Sequence, residues 1–96
     1  MVPIHPGRIL KRELSARKLS ANRLALALRV PSGRITDILN GKRSISPETA
    51  LRLAHFFGTG AEFWVNLQAR YDLAVTEKEF GAKIASEVKR AIAIND

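Results

Sequence analysis

Apolar side chains recur three and four residues apart along most of the chain, and prolines, glycines and capping residues cut that pattern into helix-length pieces. His5-Pro6 opens the first piece, with the proline in the first turn where its missing N–H is not needed; Ile9, Leu10 and Leu14 give the apolar face, and the end falls near Lys18. Ser20 is a natural N-cap for a second helix, Ala21 to Leu28, in which Leu24, Ala25 and Leu28 share a side and Leu26 lies off it. Pro31 or Ser32 begins a third that runs to Asn40. Its buried stripe is Ile35, Ile38 and Leu39, and Gly41 stops it as a left-handed cap would. Ser46-Pro47-Glu48 restarts the chain with a cap, a proline and an acid near the positive end of the helix dipole. This fourth helix is expected to reach Phe57, burying Ala50, Leu51, Ala54 and Phe57, before Gly58 ends it.

Two threonines stand three residues ahead of glutamates, Thr59 with Glu62 and Thr76 with Glu79, which is the spacing of a capping box. They predict a fifth helix holding Phe63, Trp64, Leu67 and Tyr71, and a sixth repeating Phe80, Ile84, Val88 and Ile92 every four residues. No stretch alternates with period two, so the expected fold is all-α. With 96 residues, 46% of them hydrophobic, the chain has material for one core. Residues 1–75 read as the main helical domain, and residues 76–96 as a C-terminal helical extension packed on it. Cysteine is absent, which excludes disulfides and thiolate metal sites. No apolar run reaches the roughly 18 residues of a membrane span, and Met-Val-Pro-Ile-His-Pro lacks the charged start and apolar stretch of a signal peptide, so a soluble, cytoplasmic protein is expected.

Charge is placed unevenly. Of the net +7, residues 1–60 hold eleven Lys or Arg against Glu13, Asp37 and Glu48, a balance of +8, while residues 61–96 come to −1. A one-sided basic excess is the footprint of a polyanion binder, and equally the mark of a solvated surface that happens to be basic. Position separates the two. The second and third helices are joined only by Arg29, Val30 and Pro31, a connection short enough to force a steep crossing, which is the helix-turn-helix arrangement. The third helix would then enter the major groove of DNA. Small or hydrogen-bonding residues at its start, Ser32, Gly33, Thr36 and Asp37, allow close approach to base edges and phosphates. Arg34 offers a guanidinium for guanine or phosphate, and Lys42 and Arg43 flank the groove just beyond.

Three stretches, "HPGRIL", "LSANRLALALRVPSGRITDILNGKRSIS" and "TALRLAHFFGTGAEFWVNLQARYDL", together resemble the HigA-type antitoxins, the plasmid-maintenance antidote branch of the phage-repressor-like (XRE) helix-turn-helix proteins. The resemblance covers roughly residues 5 to 75; nothing in the tail from Thr76 to Asp96 carries it. It implies a lambda repressor-like fold of about five helices before the C-terminal one. It further implies a homodimer that represses its own operon at a palindromic operator and silences a HigB-type, RelE-like mRNA-cleaving ribonuclease. By position, Ser32, Gly33, Arg34 and Asp37 match the family's base-reading places, and Ser20, Asn22, Asn40, Lys42 and Arg43 its phosphate-contacting ones, with Arg23 beside them. One departure is Arg29, which stands where the turn usually has glycine; a left-handed backbone there would cost about 1–2 kcal/mol, against which another phosphate contact could be set.

Other chemistries find less support. His5 and His55 are far apart in sequence and read as surface or cap histidines rather than metal ligands. Phe56, Phe57, Phe63, Trp64 and Tyr71 could form a stacking platform for single strands, but their helical spacing reads as packing. No activated nucleophile, phosphate loop or paired acid and base is present, so neither catalysis nor a cofactor is expected. A twofold dimer would read two half-sites, and the fifth helix has apolar surface to spare at Trp64, Val65, Leu67, Tyr71 and Leu73, which are the expected dimer contacts. Glu62, Asp72, Glu77, Glu79 and Glu87 lie on the less basic part, where a basic ribonuclease would dock. A free-standing transcriptional regulator without a toxin, or a protein-binding adaptor on the same fold, are the alternatives; a small basic ribonuclease encoded next door would favour the antitoxin.

Overall fold

Five helices account for most of residues 2–92, the span that the computed structural model describes: α1 (Pro6–Ala16), α2 (Ala21–Leu28), α3 (Ser32–Leu39), α4 (Pro47–Phe57) and α5 (Ala61–Glu87). No strand occurs among the described residues. Side chains cap three of the helix starts, those of α1, α2 and α4. Ser20 Oγ accepts the Arg23 N–H at 3.1 Å and Ser46 Oγ accepts the Thr49 N–H at 3.2 Å. His5 does the same for α1, its Nδ1 accepting the Gly7 N–H at 2.9 Å, so this histidine is a cap that satisfies an otherwise orphaned donor.

Left-handed residues follow the ends of the first four helices. Gly41 and Gly58, both at φ 73°, follow α3 and α4, whereas Lys18 (φ 53°) and Arg29 (φ 58°) take the same conformation without being glycine. The turn at Arg29 has therefore not relaxed, and it carries a strain of about 1–2 kcal/mol. Closing it, the Val30 N–H donates to the Ala25 carbonyl at 3.0 Å, which fixes the direction in which α3 leaves.

The core takes Leu10 and Leu14 from α1, Leu24, Ala25 and Leu28 from α2, Ile35 and Ile38 from α3, Ile45 from the following loop, Ala50 and Leu53 from α4, and Trp64 from α5. Helix α1 can reach the end of α3 only because residue 7 is glycine. A Cβ there would run into the Ile38 carbonyl oxygen and stand 2.8 Å from its carbon.

Five expectations are corrected. Leu51 is exposed and Leu53 buried, because positions 50, 53, 54 and 57 complete one helical face from which 51 points away. Neither capping box forms. The N-cap of α5 is Gly60, and Thr59 Oγ1 instead accepts the Trp64 indole N–H at 3.2 Å; the Thr76 hydroxyl donates back to the Asp72 carbonyl at 2.8 Å, inside the helix. With no glycine or proline between Ala61 and Phe80, the expected fifth and sixth helices are one helix of 27 residues, about 40 Å long at 1.5 Å per residue. Its distal part projects, giving the molecule extents of 59 × 27 × 22 Å; residues 76–80 and 82–87 are exposed rather than packed on the domain. Val88 and Ile92 follow the helix end, and residues 93–96 of the expected extension lie outside the described residues. Finally, Trp64 is no surface contact: it is 1% exposed, edge-on to Phe63 at 5.0 Å and tilted against Phe57 at 5.9 Å, which also gives the aromatic group its packing role.

Candidate nucleic-acid interface

Helix α3 buries Ile35 and Ile38 completely and turns Ser32, Gly33, Thr36 and Asp37 to solvent. Ser20, Asn22 and Arg23 at the start of α2 are exposed as well, and so are Asn40, Lys42 and Arg43 after α3. No side chain caps the first turn of α3, whose N-cap is Pro31, so its leading N–H groups are left for an outside acceptor. At the other end the left-handed Gly41 folds the chain back: the Lys42 N–H donates to the Asp37 carbonyl at 2.8 Å, placing Lys42 and Arg43 beside the negative end of the α3 dipole.

Gly33 meets nothing within 4 Å of where a Cβ would be. Nothing inside the protomer therefore requires a glycine in that turn of helix, where alanine would be the more favourable residue. The Thr36 hydroxyl donates to the Ser32 carbonyl at 3.1 Å, which presents its methyl group and oxygen lone pairs outward.

Arg34 departs from expectation. It is half-buried, and its Nη1 donates to Glu48 Oε1 at 3.0 Å instead of being free for guanine or phosphate, while its Nε is buried without a partner. Glu48 is shared: Arg52 reaches Glu48 Oε2 from Nε at 3.3 Å and from Nη2 at 3.2 Å, and its Nη1 donates to the Leu28 carbonyl at 2.9 Å. The hydrogen bonds from Arg52 and the charge of Arg34 hold the Glu48 carboxyl below its ordinary range. This chain of contacts joins α4 to the end of α2 and the start of α3. Sequence reasoning missed Glu48 and Arg52 as parts of the site. The i,i+4 spacing of an acid and a base on the helix after the turn was the available signal.

The expected pairing residues divide. Leu67 packs against the core and Tyr71 lies edge-on to His5 at 4.9 Å, both half-buried, whereas Val65 and Leu73 are exposed.

Residues 10–64 match the helix-turn-helix family. The chain is 55% identical to an addiction module antidote protein of the HigA family from Coxiella burnetii, with a TM-score of 0.92 over 95% of this chain and 100% of that one. This chain belongs to the HigA antitoxin family. A second HigA, the Pseudomonas aeruginosa antitoxin solved with the higBA promoter, is 40% identical, with a TM-score of 0.92 over the same shares of the two chains. Virulence-associated protein I of Dichelobacter nodosus is 46% identical over 80 residues, which are 82% of this chain and 74% of that protein. The HigA likeness thus extends past the helix-turn-helix into α5, the helix that carries both Trp64 and the projecting apolar stripe. No described helix is long and apolar enough to cross a membrane.

Proposed function

We propose that this HigA-type chain acts by binding: a homodimer lays α3 of each protomer into successive major grooves of a palindromic operator, represses its own operon, and also neutralises a HigB-type, RelE-like ribonuclease in the cytoplasm. The observation that carries the DNA reading is the two-sidedness of α3, with Ile35 and Ile38 fully buried and Ser32, Gly33, Thr36 and Asp37 exposed beside the cations Lys42 and Arg43. In this reading Ser32, Thr36 and Asp37 meet base edges. Gly33 lets the backbone come close. Ser20, Asn22, Arg23, Asn40, Lys42 and Arg43 hold phosphates. Arg34, anchored by Glu48, fixes the pose of α3 and offers what remains of its guanidinium to the backbone of the DNA.

Pairing is assigned to the projecting half of α5, where Leu73, Phe80 and Ile84 are exposed. A twofold dimer would set the two reading helices about 34–36 Å apart along the duplex, or a multiple of that. For the ribonuclease, the exposed acids Glu62, Glu77, Glu79 and Glu87 on α5 offer the complement to a basic enzyme that grips RNA.

A mobility shift on the operon's own upstream DNA tests the reading. Affinity should fall steeply with salt, and Lys42→Ala should weaken binding to operator and random DNA alike while lowering the salt slope by about 1. Thr36 and Asp37 variants should instead erode the preference for the operator. A shift that never appears, or that ignores salt, would refute DNA binding. Failure of the chain to co-purify with an adjacent small basic ribonuclease would refute the toxin partnership alone.

A further inference from the structure

The loop from Asn40 to Ser46 carries Lys42 and Arg43, yet it has few backbone bonds of its own. Its first half is closed onto α3 through the Gly41 N–H to the Ile38 carbonyl at 3.1 Å and the Lys42 bond to Asp37. Its second half enters the core at Ile45, 3% exposed, whose N–H finds its acceptor in a side chain 23 residues away. That acceptor is Gln68 Oε1 at 2.8 Å, on α5 and itself 6% exposed. Gln68 lies beyond residues 10–64, the stretch matched to the helix-turn-helix family.

The Gln68 amide can face only one way. The Ile45 N–H is a donor, so Oε1 must meet it; Nε2 is then presented to Asp72 Oδ1 at 2.9 Å, and a carboxylate only accepts. Asp72 also lies close enough to His5 to act on its charge, and the His5 ring touches the position of a Gly41 Cβ at 3.8 Å. Gln68 therefore holds the core end of the loop directly, while Tyr71 and Asp72, one turn on, lie beside the His5 that stands near its other end.

We propose that Gln68 is a positioning residue for the Lys42–Arg43 clamp: by fixing the Ile45 amide from α5, with Asp72 fixing its own amide, it sets the distance at which the loop meets DNA phosphates. The inference rests on the DNA reading above and deepens it, because it makes the helix assigned to pairing a part of the phosphate grip.

Gln68→Glu tests it. The variant keeps an oxygen for Ile45 but turns a second one onto Asp72, so the two carboxylates repel; adding Asp72→Asn supplies a donor where the carboxylate stood. Operator affinity should drop about tenfold in Gln68→Glu and return to within about threefold in the double variant, as expected for a buried hydrogen bond broken and rebuilt. The salt slope should become shallower by about 1–2, as Lys42 and Arg43 lose their phosphates. In a Lys42→Ala, Arg43→Ala background Gln68→Glu should add no further loss. Exchange of the Ile45 amide hydrogen, followed by NMR, should quicken in Gln68→Glu and slow again in the double variant. Should Gln68→Glu fail to fold, Gln68→Met, which fills the space without an acceptor, should give the same faster exchange and shallower slope. Equal loss with and without Lys42 and Arg43 would mean general damage and overturn the proposal, as would a wild type that shifts the operator while Gln68→Glu matches it. A wild type that binds no DNA would overturn this inference together with the reading it rests on.

Discussion

Helix α5 lives in two environments. Its first two turns sit in the body, where Trp64 is 1% exposed, Leu67 packs on the core and Gln68 is buried; its distal turns leave the body with Leu73 67%, Phe80 47% and Ile84 48% exposed. A lone helix of about 12–15 residues is marginal in water, so the distal part draws its order from the anchored part and from whatever covers its apolar side. Burial of the same residue types therefore means different things at the two ends: one end makes the protomer, and the other is available to make an assembly. Trp64→Ala should cost about 3–5 kcal/mol in a urea melt, since it empties the centre of the core. Phe80→Ser with Ile84→Ser should change protomer stability by less than about 0.5 kcal/mol, as for other surface substitutions, and should instead convert dimer to monomer in sedimentation. Unfolding of the body by the distal pair, with no change in mass, would break the distinction.

Two glycines sharpen it at a smaller scale. Gly7 is demanded from within, because the Ile38 carbonyl occupies the place of its side chain, whereas Gly33 has open space around it. Gly7→Ala should destabilise the protein by about 1–3 kcal/mol through overpacking. Gly33→Ala should raise stability by about 0.5–1 kcal/mol, the ordinary gain of alanine over glycine in a helix, while weakening operator binding because a methyl group now stands between helix and DNA. Equal destabilisation by both, read from thermal melts, would remove the argument that the glycine of α3 serves a partner.

Local chemistry made the first four helices legible. Pro6, Ser20, Ser46 and Gly58 act where their side chains and backbone freedom predict, and the stripe of Ile35 and Ile38 left the correct side of α3 in the open. Features that depend on distant neighbours were not. Arg34 and Glu48 are 14 residues apart and Ile45 and Gln68 are 23 apart, and nothing in either segment alone names its partner. Thr76 has the right spacing for a cap, but a threonine hydroxyl satisfies itself equally well on the carbonyl one turn back when nothing breaks the helix. An apolar stripe states which side of α5 avoids water, not what covers it: for Trp64 the cover is the protomer's own core. The short connection, the small polar start of α3 and the family resemblance together pointed the α2–α3 pair at DNA, whereas the contacts that tie Glu48 and Arg52 to this pair came only with the three-dimensional structure.

The smallest expected effect is electrostatic and again belongs to the body. Burial pushes the His5 imidazole below its ordinary 6.5, against the opposing pull of Asp72 and of the Arg43 backbone. The unfolded chain therefore takes up this proton first as pH falls. Stability should be full above pH 6.5, decline through the window between that value and the lower folded one, and level off once both states are protonated. The Glu48 carboxyl, held below its ordinary 4.5, gives a second decline only at pH under that value. His5→Asn keeps an acceptor for the Gly7 N–H and removes the titration, so urea midpoints should flatten between about pH 8 and 5, while the acid limb due to Glu48, met only when the measurement is carried below 4.5, stays. The distal stripe of α5 has no part in either step, and a sedimentation profile at constant protomer stability should be indifferent to His5→Asn. An unchanged slope in the variant would mean that protonation leaves the α1 cap intact, and the contact of His5 with Tyr71 would then be packing alone.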